Sequence, residues 1–103
     1  MQPLLGIDML RLDSSAVVAL SGEADLSGAP SLRAALHSAL NATSSLVVDV
    51  SELSYIDSSG VQELLRAKRD ASDNGITLVV RGANGIVHRV FELMEVEREL
   101  SID

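Results

Sequence analysis

The sequence predicts a single α/β domain spanning residues 1–103, in which three helices pack against a mixed sheet of four to five strands. Three observations carry that expectation. The chain has 103 residues, enough for one core and too few for two. Apolar residues make up 47% of it. Short aliphatic and β-branched runs alternate with longer stretches whose apolar residues recur at helical spacing, which is the pattern of strands and helices taking turns.

Residues 4–12 read as the first strand, with Leu5, Ile7, Met9 and Arg11 on one face and Asp8 on the other. Asp13-Ser14-Ser15 is a tight-turn signal, and residues 16–20 follow as a second strand, so an antiparallel hairpin is expected. Ser21-Gly22-Glu23-Ala24-Asp25 reads as a polar loop. Ser27 and Pro30 mark a helix start, because a missing N–H costs nothing in a first turn. Leu32, Ala35, Leu36, Ala39 and Leu40 form that helix's apolar stripe, and it stops at Asn41-Ala42-Thr43-Ser44-Ser45. Residues 46–50 are apolar almost throughout, as expected for a central strand covered on both faces. A second helix carries Val61, Leu64, Leu65 and Ala71 and ends at Asn74-Gly75, a left-handed stop. Residues 76–80 are the next strand. After a turn in which Gly82 and Gly85 flank Asn84, Ile86, Val87, Val90, Phe91 and Met94 give the third helix. Residues 97–102 would add a short edge strand. Each strand–helix–strand passage implies a right-handed crossover to a parallel neighbour.

The segment Tyr55-Ile56-Asp57-Ser58-Ser59-Gly60 lies where a short loop meets the second helix. Ser59 with Gln62 fits a capping box, the serine oxygen accepting from the Gln62 N–H. That leaves Ser58 just outside the helix with no local duty. A free hydroxyl there could carry a phosphate, since unpaired N–H groups and the helix dipole favour negative charge.

Composition narrows the chemistry. Eight basic against fifteen acidic side chains give a formal charge of −7, which repels nucleic-acid backbones. Tyr55 and Phe91 are the only aromatic residues, so base-stacking platforms are missing. There is no cysteine for a disulfide or a thiolate metal site. No apolar run reaches the roughly 20 residues that span a bilayer, so no membrane insertion is expected and the cytoplasm is the default location. His37 and His88 read as helix-surface residues rather than halves of a metal pair. Asp49, Glu52 and Asp57 read as scattered acids rather than a cation site. Asp57-Ser58-Ser59-Gly60 lacks the Gly-x-Ser-x-Gly elbow of hydrolases, and no phosphate loop is present. Neither an enzyme nor a bound cofactor is expected, and the acidic surface suggests a monomer.

Gly22-Glu23-Ala24-Asp25-Leu26 resembles the Gly-Glu-x-Asp segment after the second strand of STAS domains. Residues 46–60 are similar to their central strand and signature loop, and Val90-Phe91-Glu92-Leu93 resembles the apolar patch of their third helix. The likeness runs from about residue 5 to the end. Stand-alone domains of this kind resemble bacterial anti-sigma factor antagonists. The resemblance implies that the unmodified protein binds an anti-sigma factor that is itself a serine kinase, and so releases a sigma factor. It also implies that phosphorylation at Ser58 ends binding and that a metal-dependent serine phosphatase resets the switch. The partner surface it implies is Asp25, Ser27, Asp57, Ser59, Gly60, Val61 and Gln62.

Three segments depart from that pattern. Val61-Gln62-Glu63 stands where many antagonists carry a small, apolar Leu-Gly sequence, placing Glu63 on an expected contact surface. Asn84-Gly85 stands where Ser-Pro is common, and Met94-Glu95 replaces a small-residue helix end. The alternative reading within the same fold is a STAS subunit of a phospholipid-transport ABC complex. A nucleotide-binding sensor is a further alternative, for which the chain offers no phosphate loop.

Overall fold

A computed structural model describes residues 4–103. In order, the elements are β1 (Leu5–Leu12), β2 (Ser15–Ala24), a single 3-10 turn (Leu26–Gly28), α1 (Ala29–Ala39), β3 (Ser45–Ile56), α2 (Ser58–Asp73), β4 (Thr77–Arg81) and α3 (Gly85–Met94). They form one four-stranded sheet in the order β1-β2-β3-β4. The tight turn at Asp13 and Ser14 joins β1 to β2 as an antiparallel hairpin, while β2, β3 and β4 run parallel, as the helical crossovers require.

The strands bury one face. Ala16, Val18 and Leu20 of β2, Leu46, Val48 and Val50 of β3, and Leu78 and Val80 of β4 are all at most 2% exposed. They share a cluster with Leu32 and Leu36 of α1, Val61 and Leu64 of α2, and Val87 and Phe91 of α3. The alternate residues Val17, Val47 and Val79 stand in register across the sheet, are only half-buried, and lie outside that cluster. The expectation that residues 46–50 are covered on both faces is therefore corrected. An unbroken aliphatic run fits a one-sided strand equally well when its outer valines are shielded by their cross-strand neighbours.

Two strands are longer than the sequence suggested. Residues 21–24 continue β2, and residues 51–56 continue β3, because the two segments pair with each other up to Ala24 opposite Ile56. Register shifts between Ala19 and Ser21 and between Gly22 and Glu23 absorb the irregularity. Gly22 makes this possible: its φ is +80°, and a Cβ there would stand 2.0 Å from the Leu4 carbonyl oxygen. The edge strand expected over residues 97–102 is reduced to one parallel bridge, Ile102 with Val80, after a run of turns.

Polar side chains tie the helices to this frame. The Arg11 guanidinium donates to the carbonyls of Asn41 (3.0 Å) and Ser38 and to Thr43 Oγ1 (3.1 Å), placing a cation at the carbonyl end of α1. Lys68 Nζ donates to the Leu78 carbonyl and to Ser101 Oγ, both at 2.8 Å, linking α2 to β4 and the C-terminal turn. No described helix is long and apolar enough to cross a membrane.

Candidate functional site

The candidate residues gather where β2 and β3 end side by side. Ala24 opposes Ile56, and the Asp57 N–H crosses to the Ala24 carbonyl at 3.2 Å. At that level both chains leave the sheet in the same way. Asp57, at φ −114° and ψ −174°, caps α2, its Oδ1 accepting from the N–H groups of Ser59 (2.9 Å) and Gly60 (3.2 Å). Asp25, at φ −117° and ψ −171°, caps the 3-10 turn, its Oδ1 accepting from the N–H groups of Ser27 (3.1 Å) and Gly28 (3.3 Å). Asp25-Leu26-Ser27-Gly28 and Asp57-Ser58-Ser59-Gly60 are thus twin caps on neighbouring parallel strands.

Asp57 takes the capping duty assigned to Ser59 from sequence. Ser59 is the second residue of α2, and the box with Gln62 does not form. The physical reason is that β3 holds its extended course to Ile56, so the chain turns at Asp57 and the aspartate reaches the free N–H groups first. Ser58 consequently stands inside the helix, as its first residue, rather than outside it. It is exposed, and its hydroxyl has no hydrogen-bond partner among the described residues. Ser27 differs: its hydroxyl donates to Asp25 Oδ1 at 2.6 Å. That bond, with the N–H groups of Gly28 and Ser27, holds the Asp25 carboxyl below its ordinary range against the opposing effect of desolvation.

Gly60 and Val61 do not present side chains to a partner. Val61 is fully buried in the core. Gly60 is the close-approach point between α2 and β2, where a Cβ would come within 2.7 Å of the Ala24 carbonyl oxygen and 2.8 Å of Ile56 Cγ1. Gln62 is exposed one turn along α2, and Ser59 is half-buried. The surface at this end is therefore built from Asp25, Ser27, Asp57, Ser58, Ser59 and Gln62.

Leu26 belongs to the same surface and was missed from sequence. It holds the position in its cap that Ser58 holds in the other, and it is 72% exposed. The repeated Asp-x-Ser-Gly spacing was the available signal.

Glu63 corrects a second expectation. It is only 4% exposed, turned into the contact between α1 and α2 rather than lying on the contact surface expected from sequence. Arg33 of α1 grips it with two bonds, Nε to Oε1 at 2.9 Å and Nη2 to Oε2 at 2.7 Å, and Arg66 Nε lies 3.5 Å from Oε1. The Arg33 hydrogen bonds keep the Glu63 carboxyl below its usual range, outweighing the opposite push of burial, with the Arg33 and Arg66 charges adding to them. Beside this cluster a cleft of about 330 Å³ runs between the helices, floored by Ala34, Leu36, Leu40 and Ala67.

Of the other acids noted in the sequence, Asp49 serves the frame. Asp49 accepts from the Ser51 N–H at 2.9 Å and faces Arg81 at 3.7 Å, and these contacts, the Ser51 hydrogen bond first, lower its carboxyl pKa despite burial. No group of three or more His, Cys, Asp or Glu among the described residues is arranged to hold a metal ion. His88 has a carboxylate one turn on, Glu92, at 3.7 Å, which the sequence reading overlooked; both are exposed.

Comparison with known proteins places this geometry. A family model described as "Mlab, STAS domain" matches residues 9–102. An anti-sigma factor antagonist from Mycobacterium paratuberculosis superposes with a TM-score of 0.84 at 23% identity, over 95% of this chain and 84% of that one. The anti-sigma factor antagonist SpoIIAA in its unphosphorylated form gives 0.81 at 21% identity, over 95% and 88%. The murine Solute Carrier 26 family member A9 anion transporter gives 0.74 at 12% identity, over 90% of this chain and 16% of that one. At these identities the likeness to the solved structures is one of fold.

Proposed function

The chain belongs to the STAS domain family, and on that premise we propose that it is an anti-sigma factor antagonist, a single regulatory domain switched at Ser58. In this reading the unphosphorylated form binds an anti-sigma factor serine kinase and so frees a sigma factor. Phosphorylation of Ser58 ends the complex, and a metal-dependent serine phosphatase restores it. The protein works as a binding module in the cytoplasm and carries out no chemistry of its own.

The observation that carries the reading is the state of the Ser58 hydroxyl. It is exposed on the first turn of α2, without a hydrogen-bond partner among the described residues, while Asp57 does the capping that would otherwise occupy a serine. A phosphate added there brings roughly −1.5 to −2 charges and three acceptor oxygens. The N-terminus of α2 tolerates that charge, so the helix is not melted. The penalty falls on a docked partner. The new charge lies beside Asp57 on a chain of formal charge −7, at a strand end paired with the one that leads into Asp25 and the exposed, apolar Leu26. A loss of about 3 kcal/mol at such an interface is roughly a hundredfold in affinity, so a switch needs no change of shape.

The test is an affinity capture from the source cell's lysate with wild type, Ser58→Ala and Ser58→Asp as baits, the retained proteins being identified by mass spectrometry. A serine-kinase anti-sigma factor held by wild type and Ser58→Ala but lost from Ser58→Asp is the expected result. Equal retention by all three removes the switch. If what all three retain is an ABC ATPase or permease, the chain is a transport-complex subunit instead.

A further inference from the structure

Among the described residues β1 has a neighbour on one side only, β2, and its other edge is open. Edge strands of monomers are commonly blunted by lysine, proline, a bulge or a covering element, because a free row of N–H and C=O groups invites another strand. β1 (LGIDMLRL) has neither lysine nor proline, and of its two charged side chains, Asp8 and Arg11, the second is drawn off to carbonyls at the end of α1. Its pairing with β2 runs one-to-one from Leu5 opposite Gly22 to Leu12 opposite Ser15, with no bulge. Residues 8–12 are all exposed, among them Met9 at 39%, Leu10 at 55% and Leu12 at 59%. On the open face of the sheet Leu10 stands at the end of an apolar cross-strand row, Leu10, Val17, Val47 and Val79.

We propose that β1 is a self-association surface, on which two copies of the chain pair their β1 strands antiparallel about a two-fold axis beside Leu10. Such an axis runs normal to the sheet and keeps each face on its own side. Only residues an even number apart can then oppose one another. The exposed stretch is centred on Leu10, so Leu10 faces the partner's Leu10, Asp8 faces the partner's Leu12, and Met9 faces the partner's Arg11. The apolar row of one sheet runs on into that of the other.

Charge favours a second copy over a different partner. Elsewhere the chain is acidic, with a formal charge of −7 overall, but this strip carries one Asp and one Arg, and Arg11 is already engaged by carbonyls at the end of α1. It therefore offers no net charge to a basic or acidic partner. In the Leu10-centred register no like charges stand directly opposite. The two Arg11 residues are two positions apart, roughly 7 Å at about 3.3 Å per residue, but each guanidinium is held by carbonyls at the end of its own α1. The two Asp8 side chains are four residues apart along the strand, roughly 13 Å at about 3.3 Å per residue, beyond the Debye length of about 8 Å at physiological salt.

The contact is far smaller than the roughly 800 Å² per partner of a stable complex, so the dimer is weak and reversible. Added salt screens the repulsion between the two acidic chains and strengthens it. Leu10 pairs with Val17 near the start of β2, whereas the twin caps follow its end at Ala24, roughly 23 Å away at about 3.3 Å per residue. Ser58 therefore stays accessible in the dimer, and the proposal is independent of the switch reading.

Sedimentation of the whole chain over a wide concentration range tests it, with wild type, Leu10→Lys, Leu10→Glu and Val47→Lys compared. Wild type is expected to dimerise reversibly, more so at high salt. Each Leu10 variant should weaken association by about tenfold or more, because like charges then oppose each other directly. An equimolar mixture of Leu10→Lys and Leu10→Glu should restore it. Val47→Lys, on the open face but away from the edge, should retain it. Wild type that stays monomeric throughout overturns the proposal. So does a mixture that fails to associate, or a Val47→Lys variant that loses the dimer as fully as the Leu10 variants.

Discussion

Removing Arg33 should destabilise the fold more than neutralising its partner Glu63, although Arg33 is the more exposed of the two. Glu63 is 4% exposed and receives both ends of the Arg33 fork, at 2.9 and 2.7 Å. In Arg33→Ala the carboxylate stays between α1 and α2 with only Arg66, 3.5 Å from Oε1. Stranding a fully buried charge costs about 3–5 kcal/mol, but the neighbouring cleft admits water and Arg66 can close in, so about 2 kcal/mol is expected at Glu63. Glu63→Gln keeps the shape and one hydrogen bond and strands no charge, so about 1 kcal/mol is expected. The double variant Arg33→Ala with Glu63→Gln should recover much of the Arg33→Ala loss, because no carboxylate is left unpaired. Urea unfolding at neutral pH measures all three.

The pH dependence gives a sign check on the same pair. In wild type the folded Glu63 pKa lies below the unfolded value of about 4.3, so its stabilisation is present above that pH and is lost as pH falls through the folded value. In Arg33→Ala the largest lowering contact is gone while burial persists, so the folded pKa is expected to rise from its wild-type position. The variant's deficit is then largest at neutral pH and shrinks in mild acid as Glu63 takes up a proton. Arg33→Ala no worse than Glu63→Gln, or a deficit that grows on acidification, would refute this account.

Two more predictions address the caps. Asp57→Ala removes the acceptor for the Ser59 and Gly60 N–H groups and should lower stability by about 1 kcal/mol, with Asp57→Ser recovering most of it; thermal unfolding reads both. Leu26→Ala should leave the melting temperature unchanged, since the side chain is 72% exposed, yet weaken capture of the partner by about tenfold. Burying a leucine is worth about 1.5–3 kcal/mol, and an unchanged affinity measured by calorimetry would exclude Leu26 from the contact.

The fold was legible because its signals are local: aliphatic runs of strand length, helical stripes and turn residues, in an order that admits few topologies. What the sequence misassigned depends on partners far along the chain. Ser59 and Gln62 satisfy a capping rule as well as Asp57 does, and the choice between them is made where β3 ends. That end is set by pairing with residues 21–24, some thirty positions earlier. Glu63 looks like a surface acid until Arg33, on another helix, is brought against it. Val61 was placed in the partner surface by its neighbourhood in the motif, yet the helical stripe already assigned it to the core, and the stripe decided.

The twin caps bear on why a switch at this place can work through charge alone. Both aspartates spend one oxygen on backbone N–H groups, so the turns are held by carboxylate-to-main-chain bonds that owe nothing to the Ser58 hydroxyl. Gly60, wedged against Ala24 and Ile56, fixes the depth of α2 on the sheet in the same way. Modifying Ser58 thus alters a surface whose backbone is already determined. On the proposed reading Leu26, exposed at the matching position of the sister cap, supplies apolar area that a partner buries while Ser58 remains a hydroxyl. If that is the arrangement, Leu26→Ala and Ser58→Asp should be less than additive in a double-mutant cycle of partner binding, because the phosphate mimic already forfeits the leucine's burial. Fully additive effects would mean that the two positions act on a partner separately.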